Sequence, residues 1–157
     1  MEESALKPLD RGLLRLMRAR GLIAGTLLVA AALAAEAMLR PDAVPPGLGL
    51  GPALCLFAYL ALWSPPRRYR RWGYAVDGEA LQLRHGLWVR IHTLVPLDRV
   101  QHIDVSQGPL ERAFGICSLV LHTAGTLHSQ ILLPGLSRAT AEAIRDGIRA
   151  RIREEAG

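Results

Sequence analysis

The sequence predicts a membrane-embedded α-helical hairpin joined to a small β-rich domain. Three observations carry that fold class. Two apolar runs lie close together in the first third of the chain. After Trp72 the hydrophobic period changes from that of helices to that of strands. A four-residue apolar repeat fills the C-terminus. The 157 residues then divide into an amphipathic N-terminal segment (1–20), a two-helix transmembrane hairpin (21–63) and a domain facing the cytoplasm (69–157).

Residues 21–39 read GLIAGTLLVAAALAAEAML, close to the roughly 20 residues that cross the hydrocarbon. Residues 48–63 read LGLGPALCLFAYLALW, a shorter run that a locally thinned bilayer accommodates. The prolines and glycine of residues 40–47 end one helix and start the next. So short a connection makes the two runs antiparallel. A cleaved signal peptide is disfavoured, because its apolar region spans only about 7–15 residues and is not followed by a second run.

Glu36 is the one ionisable residue inside a span. An intramembrane acid is by default a functional candidate. Arg40 stands one turn further on and offers a pairing partner on the same helix face. Arginines set the orientation. Arg11, Arg15, Arg18 and Arg20 precede the first run, and Arg67, Arg68, Arg70 and Arg71 follow the second. Both termini are therefore expected in the cytoplasm of a multi-pass protein of the bacterial inner membrane. Leu9, Leu13, Leu16 and Met17 recur at helical spacing, which predicts a short helix on the inner leaflet. The formal net charge of +5 belongs to arginines that flank membrane spans, so nucleic acid is not the expected partner.

Tyr74–Val76, Ala80–Arg84, Leu87–Val95, Val100–Gln107, Cys117–Thr123 and His128–Leu133 read as strands, with Asp77-Gly78 and His85-Gly86 as tight turns. Gln101, Ile103 and Val105 share one parity. Pro134-Gly135 ends the last strand, and Ser137 caps a final helix whose apolar stripe is Thr140, Ile144, Ile148 and Ile152. Six or seven strands with short connections predict an antiparallel barrel or sandwich. Cys55 and Cys117 read as small buried hydrophobes.

The order Val95-Pro-Leu-Asp-Arg-Val-Gln101, then Gln107-Gly-Pro-Leu-Glu-Arg112, then Phe114-Gly115, then Leu119-Val-Leu-His-Thr-Ala-Gly125 resembles the YdbS-like bacterial pleckstrin-homology (PH) family. So does the opening DGEALQLRHG of residues 77–86. Cys117-Ser118 and His122 depart from the pattern. The resemblance implies a PH-like fold, two nearly orthogonal antiparallel sheets capped by one C-terminal helix. It also implies a larger membrane-protein partner carrying repeated domains of the same type, or self-association.

The residue types favour binding over catalysis. His85, His92, His102, His122 and His128 lack zinc-protease spacing, the serines lack a nucleophile-elbow setting, and Lys7 is the only lysine. No catalytic group, cofactor or metal is therefore expected. Arg67, Arg68, Arg70 and Arg71 are the candidate lipid-headgroup contacts, and Asp98, Arg99 and Arg112 the candidate partner contacts. The expected role is a non-enzymatic adaptor anchored at the inner leaflet. The alternative is a subunit of an intramembrane transporter or enzyme complex that uses Glu36.

Overall fold

The structure is a computed structural model that describes residues 6–38, 45, 47–77, 79–124 and 130–155. The chain forms two compact units, one of Leu14–Arg67 and one of Met1–Leu13 with Arg68–Gly157.

Helix α1 (Arg11–Met38) is the longest element of the first unit. It is long and apolar enough to cross a membrane. Its most apolar eighteen-residue window has a mean hydropathy of 1.9, and only 6% of that window is buried. Such a surface is stable only in an apolar solvent. Helix α2 (Leu50–Ala58) continues through a π-helical turn, Tyr59–Trp63, into α3 (Ser64–Arg70). Pro65 and Pro66 lack the N–H groups that the carbonyls of the preceding turn require. The wider π turn, in which the Ser64 N–H reaches the Tyr59 carbonyl, accommodates that loss. Cys55 is exposed on α2 and not in a core as the sequence suggested.

The helices of this unit meet at two glycines. Gly21 and Gly25 share one face of α1, and a side chain there would run into Leu60 and Phe57 respectively. Small residues four apart let backbones approach in the absence of any hydrophobic driving force between helices. At the far end the Glu36 carboxylate accepts hydrogen bonds from the backbone N–H groups of Gly49 (2.9 Å) and Leu50 (3.0 Å).

The second unit carries the strands. β1 (Gly73–Val76), β2 (Ala80–His85) and β3 (Ile91–Pro96) form one antiparallel sheet, in that order. β4 (Val100–Ser106), β5 (Cys117–Thr123) and β6 (Gln130–Leu136) form the other. Among the described residues no pairing joins the two sheets, so they do not close the barrel that the strand count allowed. The 3-10 turn Leu97–Arg99, which follows Pro96, separates β3 from β4. Short α4 (Pro109–Ala113) joins β4 to β5, and α5 (Arg138–Glu155) packs on β4 and β5. The core is aliphatic, with Leu81, Leu119, Leu121 and Leu133 wholly buried.

Several sequence expectations need correcting. The third strand begins at Ile91 and not Leu87, because Gly86 adopts φ +113° and turns the chain first. Gln101 is exposed, and Val100 is buried with Ile103. A bulge at Val100–His102 resets the alternation. The last strand runs through Pro134-Gly135 to Leu136. On an edge strand Pro134 removes no central ladder bond, and Gly135 accommodates φ +70° beside a second register shift. Among the described residues no separate surface helix stands before residue 20, because α1 already begins at Arg11. Asp10 caps α1 by accepting from Gly12 N–H at 2.7 Å, and Leu9 and Leu13 are buried. Ser137 does cap α5, its Oγ accepting from Thr140 N–H at 3.2 Å. Ala141 and Ile148 are the buried part of the α5 stripe; Thr140, Ile144 and Ile152 are half-buried.

Candidate functional site

A pocket of about 390 Å³ opens in the strand-bearing unit and is lined by arginines. Arg70 and Arg71 come from the end of α3 and the residue after it. Arg84 comes from the end of β2, and Arg90 from the β2–β3 hairpin. Trp72 and His85 form one wall and stack on each other, their ring centroids 4.7 Å apart. Among the described residues, no aspartate or glutamate lines the pocket. Among the described residues none of the four arginines pairs with a carboxylate. Four unpaired guanidinium groups around one cavity present forked donors that match phosphate oxygens. The hairpin register assembles them: Gly73 pairs with Arg84, which sets that arginine beside Trp72 and Arg71.

Of the predicted headgroup contacts, Arg70 and Arg71 line this pocket and Arg67 and Arg68 do not. The Arg67 guanidinium carbon sits 3.3 Å from the ring centroid of Trp63, a cation–π contact. Arg84 and Arg90 were missed. Counting back symmetrically from the expected Asp77-Gly78 turn sets Gln82 opposite Gly73; the observed register sets Arg84 there, so the turn read from sequence did not reveal it.

The predicted partner contacts do not converge. Asp98 and Arg99 are exposed in the 3-10 turn before β4, and Arg112 is exposed on α4 after it. The length of β4, about 20 Å, lies between them. α4 is held by Glu111, which accepts from Gly108 N–H (2.8 Å) and from the buried Ser118 hydroxyl (2.7 Å). Leu110 on this turn is exposed. Burial, reinforced by Glu111, pushes the neighbouring Cys117 thiol up, so it stays in its protonated, unreactive form.

Two histidines meet. His102 and His122 are direct cross-strand partners, with Asp104 between them at 2.8 Å and 3.3 Å from their Nε2 atoms. His92 is exposed on β3, and His128 lies outside the described residues. Among the described residues no group of three or more His, Cys, Asp or Glu is arranged to hold a metal ion.

Glu36 has a structural explanation. Its carboxylate caps the first turn of α2 from across the loop, and Arg40, its expected partner, lies outside the described residues. Removing the accepting oxygen with Glu36→Ala is expected to lower stability measurably, because two backbone N–H groups lose their partner. Glu36→Gln keeps an acceptor oxygen and should cost less than half as much. Unfolding titrations in mixed micelles measure both, and equal losses would refute the cap.

A small strand-and-helix domain that follows an apolar helix long enough to cross a membrane defines a class of membrane-associated domain. The chain belongs to the bacterial PH domain family, whose model matches residues 19–152. It is 36% identical over 84 residues to UPF0699 transmembrane protein YdbS of Bacillus subtilis (strain 168), a match covering 54% of this chain and 51% of that one. It is 26% identical over 82 residues to UPF0699 transmembrane protein YdbT of the same organism, covering 52% of this chain and 17% of that one. The chain thus matches about half the length of the first relative and a smaller share of the second. No solved structure matches it.

Proposed function

We propose that the chain is a non-catalytic, membrane-anchored PH-like module, an adaptor that holds anionic lipid headgroups at the inner leaflet and contacts a partner membrane protein. The arginine pocket carries this reading. A cavity with four guanidinium groups and, among the described residues, no carboxylate in its lining suits a phosphate-bearing ligand. Anchoring raises the local concentration of lipid headgroups, so weak contacts suffice. Helix α1 and the helical run from Leu50 cross the bilayer as a hairpin in this reading, with both termini cytoplasmic and the two sheets crossed as in PH folds.

The lipid contact is tested with the full chain in nanodiscs containing phosphatidylglycerol. Each arginine near an anionic surface contributes about 1 kcal/mol, so Arg84→Gln with Arg90→Gln should lower retained anionic lipid roughly thirtyfold by native mass spectrometry. Unchanged retention would overturn the headgroup role. For the partner, similarity to a longer transmembrane relative supports a larger membrane protein of related type, with self-association as the simpler case. Asp98, Arg99 and Arg112 are the proposed contacts. Charge reversal at Arg99 or Arg112 should release whatever membrane protein co-purifies in mild detergent. A chain that purifies alone, with neither lipid nor protein, speaks against an adaptor.

A further inference from the structure

We infer that the tip of the β2–β3 hairpin inserts Trp88 and Val89 into the interface of an anionic bilayer while the adjoining arginines hold lipid phosphate. The inference deepens the proposed headgroup role and rests on it. Trp88 is 82% exposed and Val89 70%, a large apolar pair at the end of a turn. Isolated exposed apolar residues are ordinary; a Trp-Val pair displayed at a hairpin tip marks a contact surface. The turn is shaped by its backbone: Gly86 has φ +113°, and a Cβ there would collide with the Val89 carbonyl. The displayed pair is therefore fixed by the fold.

The charges beside the tip select the occupant. Arg90 is the next residue after Val89, and Arg84 stands at the base of the same hairpin. Both line the pocket with Arg70 and Arg71. An apolar point ringed by guanidinium groups matches the layered chemistry of an anionic membrane surface, with phosphates outside and acyl carbons beneath. Indole, with an apolar body and one N–H donor, suits that depth.

The test uses the full chain, one copy per nanodisc, with phosphatidylcholine brominated near the headgroup and with or without phosphatidylglycerol. The quenching that disappears in Trp88→Phe belongs to the tip, since Trp63 and Trp72 remain. With phosphatidylglycerol present, the Trp88 contribution should be quenched at least twofold, and its accessibility to aqueous acrylamide should fall several-fold. A Trp88 that stays unquenched by bromine and open to acrylamide overturns the inference. So does a Trp88 shielded from acrylamide only when two copies share a disc, which would mean that a second chain covers the tip. Lipid retention separates the two ideas. Retention lost in the Arg84→Gln, Arg90→Gln chain with no bromine quenching leaves the pocket standing and removes insertion. Bromine quenching with retention unaffected by the arginines keeps insertion and removes the headgroup role.

Discussion

Gly25→Leu should separate the two helices of the Leu14–Arg67 unit. A Cβ at Gly25 would lie 3.1 Å from Phe57 Cγ, and one at Gly21 would lie 2.8 Å from the Leu60 carbonyl carbon. The second of these is backbone and cannot rotate away. Overpacking a fitted interface costs about 1–3 kcal/mol, and a full isobutyl group between two helices belongs at the upper end. If both helices lie in hydrocarbon, as the proposed hairpin requires, no hydrophobic term restores the contact, because lipid tails solvate the freed faces as well as the partner helix did. The separation should also pull the Gly49 and Leu50 N–H groups from Glu36, compounding the loss. Gly51 is the control: nothing lies within 4 Å of a Cβ built there, so Gly51→Leu should be tolerated. Titration with a denaturing detergent in mixed micelles, followed by resonance energy transfer between labels on the two helices, measures the difference. Equal midpoints for the two variants would show that the glycine contact carries no stability.

Gly135→Val should be the most damaging single change in the strand-bearing unit. The residue sits at φ +70°, where an L side chain costs about 1–2 kcal/mol and a β-branched one more. Its Cβ would also meet the Leu13 side chain, with Leu13 Cβ at 2.7 Å. The Gly135 carbonyl accepts from Asp10 N–H at 2.8 Å, so a shift here disturbs the cap that starts α1. Strain and overpacking together come to roughly 2–5 kcal/mol, a large fraction of a small domain's stability. Hydrogen exchange should show the loss first in the amides of Asp10 and Gly12, ahead of central β5. Protection that falls equally across both sheets would point to global unfolding with no local weakness at the N-terminal segment.

Some of this architecture follows from neighbouring residues alone. The apolar runs and the Ser137 cap of α5 depend on groups within a few positions of each other. Their propensities and hydrogen bonds are local, and the sequence therefore states them. The exposed positions of Asp98 and Arg99 beside Pro96 belong to the same class. So do Arg70 and Arg71, which come into consideration simply by following an apolar run.

Tertiary structure decided the rest, wherever the partner is distant in sequence. Glu36 has an arginine at the spacing of a same-face pair, yet the groups that its carboxylate holds are thirteen and fourteen residues away. Leu9 and Leu13 have the spacing of a membrane-surface helix, but they are buried, with Leu13 over Gly135. Gly21 and Gly25 form a small-xxx-small pattern that the sequence displays; only the approach of Phe57 and Leu60 shows which helix it serves. Arg84 and Arg90 join Arg70 and Arg71 because an antiparallel register lays the hairpin beside Trp72. By itself the sequence determined which segments are helix, strand and turn, since periodicity and capping act over one or two turns. Which arginines share a pocket, and which acid is a cap, had to await the folded chain, because packing and register bring together groups that local rules never compare.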